Sequence, residues 1–263
     1  MRIIITGSTC QIGRRLVERL KSEGHEITSL EGRQSRTWRI GEAIPPDFPA
    51  DALIHLAHDR SHSFQESREN ALVLCKSIEG KKVFLSSLSA HSKSISNYGK
   101  SKYETERVFS EFGGVSLRAG VVYGNEMSGI FQQIQNLILS SRLIPLPNLG
   151  NFLVFTTHID DLINEIIDAL ESTSPKVVLA ANPNPITFGK LCKLLSLELD
   201  LKRYFIPVPN QPFERIVRII AKFFPKIYAL DSLLSINPQA SCMELSELAF
   251  PKNNFRSYHT QGY

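Results

Sequence analysis

RIIITGSTCQIG, residues 2–13, is the stretch from which the fold is read. Residues 2–6 form a β-branched run with no polar alternation, which reads as a parallel strand covered on both faces. A turn opens at Gly7. Ile12, Leu16, Val17 and Leu20 then recur at helical spacing, and Gly24 ends that helix. Residues 26–30 (EITSL) make a second short strand. The result is a strand-turn-helix-strand unit, the opening of a Rossmann-type doubly wound α/β sheet.

The turn has a chemical reading as well. Free N–H groups and the helix dipole at its end suit the pyrophosphate of a dinucleotide. Gly7, Thr9, Cys10, Gln11, Ile12 and Gly13 are therefore the expected cofactor contacts. Two glycines alone would serve any tight strand-to-helix turn, but at the first strand of the chain they favour a cofactor. Glu31 ends the second strand, where a carboxylate can accept from an adenosine ribose. Arg33 and Arg36 follow and could instead grip a 2′-phosphate. NAD is the expected cofactor, with NADP the alternative.

Beyond this unit the alternation continues, with strands over 52–57, 82–86 and 115–118 and helices over 64–78 and 98–112. Residues 31–51 leave little room for the usual strand and helix, and Pro45, Pro46 and Pro49 argue against a helix there. After Gly124 a helix is expected over 130–143, a turn-rich loop over 144–152, a helix over 159–170 and a last strand over 176–181. From Pro183 onward prolines alternate with short helices. The expected division is a dinucleotide-binding domain over 1–123, to which 156–182 returns, and a substrate lobe from 124–155 and 183–263.

Tyr98 and Lys102 lie four apart at a helix start, on one face. A phenol ionises near 10, so an ammonium one turn away is what would let Tyr98 exchange a proton near neutrality. Ser87 closes the preceding strand, where its hydroxyl can hold the same substrate oxygen.

Composition narrows the classes. With 263 residues, 42% of them hydrophobic, the chain can bury a substantial core, and a net charge of +4 is spread rather than clustered. A nucleic-acid partner is not expected. Cys10, Cys75, Cys192 and Cys242 show no CxxC pairing and read as reduced thiols. No leader and no membrane-length apolar run is seen, so a soluble, cytoplasmic protein without stable membrane insertion is expected. His58 and His62 in HDRSH have metal-like spacing but no accompanying glutamate motif, so a cofactor-lining loop is the preferred reading and no metal is expected. The stretch FERIVRIIAKFF, residues 213–224, is a basic amphipathic pattern that more often packs on its own domain than on a bilayer. In THIDDL, residues 157–162, an aspartate cap for the following helix is the simplest role.

Taken together, these motifs resemble the extended short-chain dehydrogenase family, the NAD-dependent epimerase/dehydratase type. ITGSTCQIG resembles its TGxxGxxG turn, DALIHLAH (51–58) its DxVIHLAA strand, and Asn70 with its helix the NVxGT segment. VFLSSLS (83–89) and YGKSK (98–102) match the segments that carry its serine, tyrosine and lysine; SLRAGVVYG (116–124) resembles LRPxNVYG, and THIDDL its HVDDL stretch. The resemblance implies Ser87, Tyr98 and Lys102 as catalytic residues, with Lys102 also holding the nicotinamide ribose, and it adds Leu56, Ala57 and His58 to the cofactor contacts. It implies a nucleotide-sugar substrate, reduced at a 4-keto group or epimerised at C4, and leaves a homodimer as an allowed assembly. Leu88 and Ser89 occupy the place of a dehydratase's acidic pair, which argues against dehydration. Four departures stand out: Cys10 replaces a glycine of the turn, His58 a small residue near the nicotinamide end, Val121 an asparagine that touches substrate, and Val154 an arginine for the sugar nucleotide's diphosphate. They leave a second reading, a cofactor-binding protein with reduced or lost catalysis that serves as a sensor or complex partner.

Overall fold

In the computed structural model, residues 1–30, 38–94, 96–124, 129–172, 176–209, 248–249, 251 and 253–258 are described. The first strand, β1 (Arg2–Thr6), leads through the glycine turn into α1 (Gln11–Ser22), and β2 (Glu26–Leu30) returns beside it. Then follow β3 (Ala52–His55), α2 (Phe64–Lys76), β4 (Lys81–Ser87), α3 (Asn97–Glu111) and β5 (Val115–Ala119). These strands and β10 (Lys176–Ala180) form one six-stranded parallel sheet in the order β10-β5-β4-β3-β1-β2. Chain direction across the sheet reverses at β1, which has β2 on one side and β3 on the other. The crevice above that reversal is where an open parallel sheet receives a ligand.

The unbroken apolar runs have a direct cause in the layering. Ile3 and Ile5 face one core with Leu16 and Leu20 of α1, while Ile4 faces the opposite core with Ala71 and Leu74 of α2 and Phe109 of α3. A strand covered on both faces has no side to give to polar residues. The first core is completed by α5 (Ile159–Leu170), through Leu162, Ile163 and Ile166. Between β2 and β3 there is no strand or helix among the described residues. Trp38 and Ile44 instead sink into the second core, with the indole N–H donating to the Glu42 carbonyl at 2.9 Å.

A third core joins β6 (Val121–Tyr123), α4 (Gly129–Ser140), β7 (Leu143–Pro147), β8 (Leu153–Val154), β11 (Ile186–Thr187), α6 (Phe188–Glu198) and β12 (Tyr204–Val208), and β9 (Thr156–His158) pairs in parallel with β6. Phe131, Ile134, Ile144, Val154, Phe188 and Leu195 are fully buried in it. Here two expectations are corrected. The helix expected over 130–143 stops at Ser140, and part of the expected 144–152 loop is β7, paired in parallel with β12. Pro145 and Pro147 disguise it, yet prolines are tolerated because each strand of this pair has only one neighbour. Among the described residues after Pro183 there are likewise a full helix, α6, and the strands β11 and β12, where only short helices were expected.

The last described residues run back over both parts. Ala249 bridges Val178 at the edge of the large sheet. Asn253 donates to Glu165 and Asp168 of α5, each at 2.9 Å, and Arg256 pairs with Asp161 at 2.7 Å. Tyr258 is buried in the third core, where its hydroxyl donates to Glu198.

Candidate active site

The site gathers at the ends of β1, β3 and β4 and the starts of α1 and α3. After β1, Gly7 takes φ +76, and a Cβ there would lie 2.7 Å from the Ala57 backbone nitrogen. A Cβ on Gly13 would lie 2.5 Å from the Gly7 carbonyl oxygen. Both glycines are thus required by close approach, the first to the turn after β3 and the second where α1 meets β1. Cys10 is the N-cap of α1: its Sγ accepts from the Gly13 N–H at 3.3 Å. The thiol is exposed and does part of the work of the serine or aspartate usual at such a position. Thr9 lies in the turn, and Gln11 and Ile12 open α1, whereas Glu31, Arg33 and Arg36 lie outside the described residues, as do 213–224 and Cys242.

Ser87 ends β4, and Tyr98 and Lys102 stand on the first turns of α3, whose N-cap Ser96 accepts from the Gly99 N–H at 3.0 Å. Ser87 Oγ accepts from the Ser89 N–H at 3.2 Å, and Ser87 stands near enough to Tyr98 to act on its ionisation. The Lys102 ammonium is buried; it donates to the Leu85 carbonyl at 2.8 Å and lies 4.6 Å from the centre of the Phe84 ring. Its distance to the Tyr98 ring centre is 6.0 Å. Burial lowers the Lys102 pKa to about 8, opposed by Glu106 one turn further along α3 and by Cys10.

This arrangement corrects one expectation. Burial raises the Tyr98 pKa above the ordinary value; the Ser87 hydroxyl and then the charge of Arg60 act in the opposite sense. Lys102 is held by Leu85 and Phe84, and in this geometry does not depress the phenol. The spacing of Tyr98 and Lys102 correctly puts both on one face, but it carries no information about which acceptor the ammonium meets.

Other supporting groups were not singled out from sequence. Glu106 is buried and makes two hydrogen bonds with Arg118 of β5, at 2.9 and 2.8 Å. Tyr98, Lys102 and Glu106 follow one another at four-residue steps, so the stripe was readable. Arg60 was not, because it lies in a loop without periodicity. His55, buried on β3, shares a 2.6 Å hydrogen bond between Nδ1 and Thr6 Oγ1 and stacks on Phe84 and Phe109. Its burial lowers its pKa to about 3, so it is neutral.

Of the residues after β3, Leu56 is buried and Ala57 touches Gly7. His58 meets the Tyr98 ring edge-on at 4.9 Å between centres. His62 is directed elsewhere: its Nδ1 lies 3.1 Å from Asn70 Nδ2 and its backbone carbonyl accepts from Asn97 at 2.8 Å. Among the described residues no group of three or more His, Cys, Asp or Glu side chains is placed to hold a metal ion. Val121 and Val154 are core residues of the third cluster, the latter fully buried against the strand pair β8–β11. The cap of α5 is also corrected. His158, not an aspartate, is the N-cap, its Nδ1 accepting from the Asp160 N–H at 3.3 Å. Asp160 and Asp161 are instead paired with Arg15 and Arg256. No helix among the described residues is long and apolar enough to cross a membrane.

Comparison with known proteins agrees with this frame. Residues 3–93 match the model of the NAD dependent epimerase/dehydratase family. An epimerase family protein of Arabidopsis thaliana, described as a chloroplastic SDR39U1 homolog, is 26% identical over 270 residues, covering 80% of this chain and 74% of that protein. The Thermus thermophilus UDP-glucose 4-epimerase, solved with NAD, superposes with a TM-score of 0.64 at 18% identity, over 81% of this chain and 88% of that one. The dTDP-4-dehydrorhamnose reductase of Bacillus anthracis, solved with NADP, gives a TM-score of 0.64 at 18% identity, over 81% and 86%. Residues 3–93 thus match the signature of the NAD dependent epimerase/dehydratase family, and over four-fifths of its length the chain shares the fold of these solved enzymes.

Proposed function

We propose that the chain is an NAD(P)-dependent oxidoreductase or epimerase of nucleotide sugars, which reduces a 4-keto group or inverts C4 through a 4-keto sugar. The observation that carries this reading is the convergence of Ser87, Tyr98 and Lys102 beside the first turn of α1, above the reversal in strand order. The turn fits a dinucleotide on its own chemistry: a helix N-terminus offers donors and pyrophosphate oxygens accept. Cys10 takes the Gly13 N–H through a thiol that stays at the surface, without filling the turn. Nicotinamide, when bound, supplies or accepts the hydride. Ser87 and Tyr98 would hold the sugar oxygen between them, and Tyr98 Oη would give or take its proton. Lys102 would supply positive charge at the ribose, held in a buried position by Leu85. The third core, which carries β6 and α4, would form the wall for the sugar nucleotide.

The solved relatives support the substrate class by their names, which include a UDP-glucose 4-epimerase and a dTDP-4-dehydrorhamnose reductase. The test is incubation of the purified protein with NAD or NADP and a panel of UDP- and dTDP-hexoses and their 4-keto derivatives. Absorbance at the reduced nicotinamide band and NMR of C4 stereochemistry are the readouts. Turnover of a member of the panel, abolished in Tyr98→Phe, is expected. Calorimetry showing that neither dinucleotide binds at millimolar concentration would overturn the reading.

A further inference from the structure

The imidazole of His58 is the least expected feature of the site. It stands at the end of β3, where the resemblance leads one to expect a small side chain. Its ring meets the Tyr98 ring at 4.9 Å between centres with an interplanar angle of 83°. Its Nε2 is shut off from solvent and has no hydrogen-bond partner. A ring nitrogen in that state is costly unless a partner arrives, because its desolvation is not offset. Protonation does not relieve it: burial first, then the charges of Lys102 and Arg60, hold the imidazole neutral with a pKa of about 3. A neutral imidazole has one donor and one acceptor nitrogen, so it can meet either a hydroxyl or an amide.

Position decides which ligand atoms are within reach. A pyrophosphate over the first turn of α1 places one end of the dinucleotide beside Tyr98, since a proton donor must lie next to the carbon that exchanges hydride. His58 is in ring contact with that tyrosine. We propose that His58 is a nicotinamide-side binding residue: Nε2 takes its hydrogen bond from the nicotinamide riboside half of the dinucleotide, while the same ring holds Tyr98 edge-on against Ser87. The proposal rests on the cofactor reading above. The competing partner is a water in the small cavity, about 20 Å³, that His58 lines with His62 and Asn70.

Calorimetry with two probes separates these partners. NAD carries the nicotinamide riboside, and ADP lacks it but keeps the pyrophosphate and adenosine. His58→Phe retains an aromatic edge for Tyr98 and removes the nitrogen. It is expected to weaken NAD binding about tenfold, the effect of one lost hydrogen bond, and to leave ADP binding within about twofold. His58→Gln restores a polar head and should recover part of the NAD affinity. Circular dichroism and thermal melts of each variant report whether the fold is intact. Equal losses for both probes in a folded His58→Phe would place the contact on the wrong half, and no loss for either would leave only water as the partner; each result overturns the proposal. Failure of the native protein to bind either probe would instead overturn the cofactor reading itself.

Discussion

Replacing Lys102 by methionine should make the protein more stable while removing its function. The ammonium is buried, and its pKa is lowered from 10.5 to about 8. Each tenfold shift in a protonation equilibrium is about 1.4 kcal/mol, so keeping Lys102 charged at pH 7 costs the fold about 3 kcal/mol. Methionine fills similar space without charge. The Leu85 carbonyl loses a donor, which offsets about 1 kcal/mol, so the net gain at pH 7 is about 2 kcal/mol. In a chain of this size that is a rise of roughly 4–8 °C in Tm. The pH dependence gives a sharper check. Between pH 8 and 10.5 the unfolded chain still binds the lysine proton and the folded one has released it, so native stability rises with pH across this window. The advantage of Lys102→Met should therefore be greatest below pH 8 and shrink towards pH 10.5. Urea unfolding of both proteins at pH 7 and pH 10 measures it. A variant that is less stable at pH 7, or an advantage that does not change with pH, would refute the claim that burial of the ammonium is the dominant cost at this site.

Tyr98→Phe should lower kcat by roughly 10²–10⁴-fold with dinucleotide affinity nearly unchanged, because only general acid–base catalysis is lost; steady-state kinetics beside calorimetry show the split. Cys10→Ala removes the cap on α1 and should destabilise by about 1 kcal/mol, whereas Cys10→Ser should restore it, as read by urea unfolding. Arg118→Met leaves Glu106 buried without its partner and should cost about 3–5 kcal/mol, much of it recovered in the double variant Arg118→Met/Glu106→Gln. His55 has a folded pKa of about 3 against an ordinary 6.5, so its contribution to stability is full above pH 6.5 and is lost as pH falls towards 3. His55→Phe keeps the stack on Phe84 and Phe109 and should flatten the acid limb of the stability profile; an unchanged limb would show that other groups set it.

The parallel sheet was readable because strands buried on both faces leave unbroken runs such as IIIT, and the helices between them keep a regular apolar spacing. The glycine turn was readable for a related reason: Gly7 and Gly13 are demanded by atoms of this fold, not by a ligand alone. What sequence concealed was decided by tertiary partners. β7 exists because β12 lies beside it, and no local signal in a proline-bearing stretch announces a strand about sixty residues away. His158 caps α5 because the helix starts at Ile159, which puts Asp160 and Asp161 inside its first turn, where arginines remote in the chain pair with them. Lys102 points at Leu85 rather than at the phenol for the same kind of reason. Spacing fixes which face of a helix a side chain occupies, and packing fixes what it touches there.

The return of residues 248–258 over the sheet edge, α5 and the third core bears on the order in which the molecule can be completed. During synthesis β1 to β5 are available early and can pair as they appear, since each neighbour in the sheet is already made. The bridge to Val178, the Asn253 and Arg256 contacts on α5, and Tyr258 in the third core must wait for residues translated much later. A nascent chain therefore holds a nearly finished sheet beside a wall that is not yet tied to it. Until Asn253 and Arg256 arrive, Asp161, Glu165 and Asp168 lack the contacts these two residues supply, and they gather like charge on one helix. Loss of the Asn253 and Arg256 contacts should consequently be far more damaging than the removal of two surface side chains suggests.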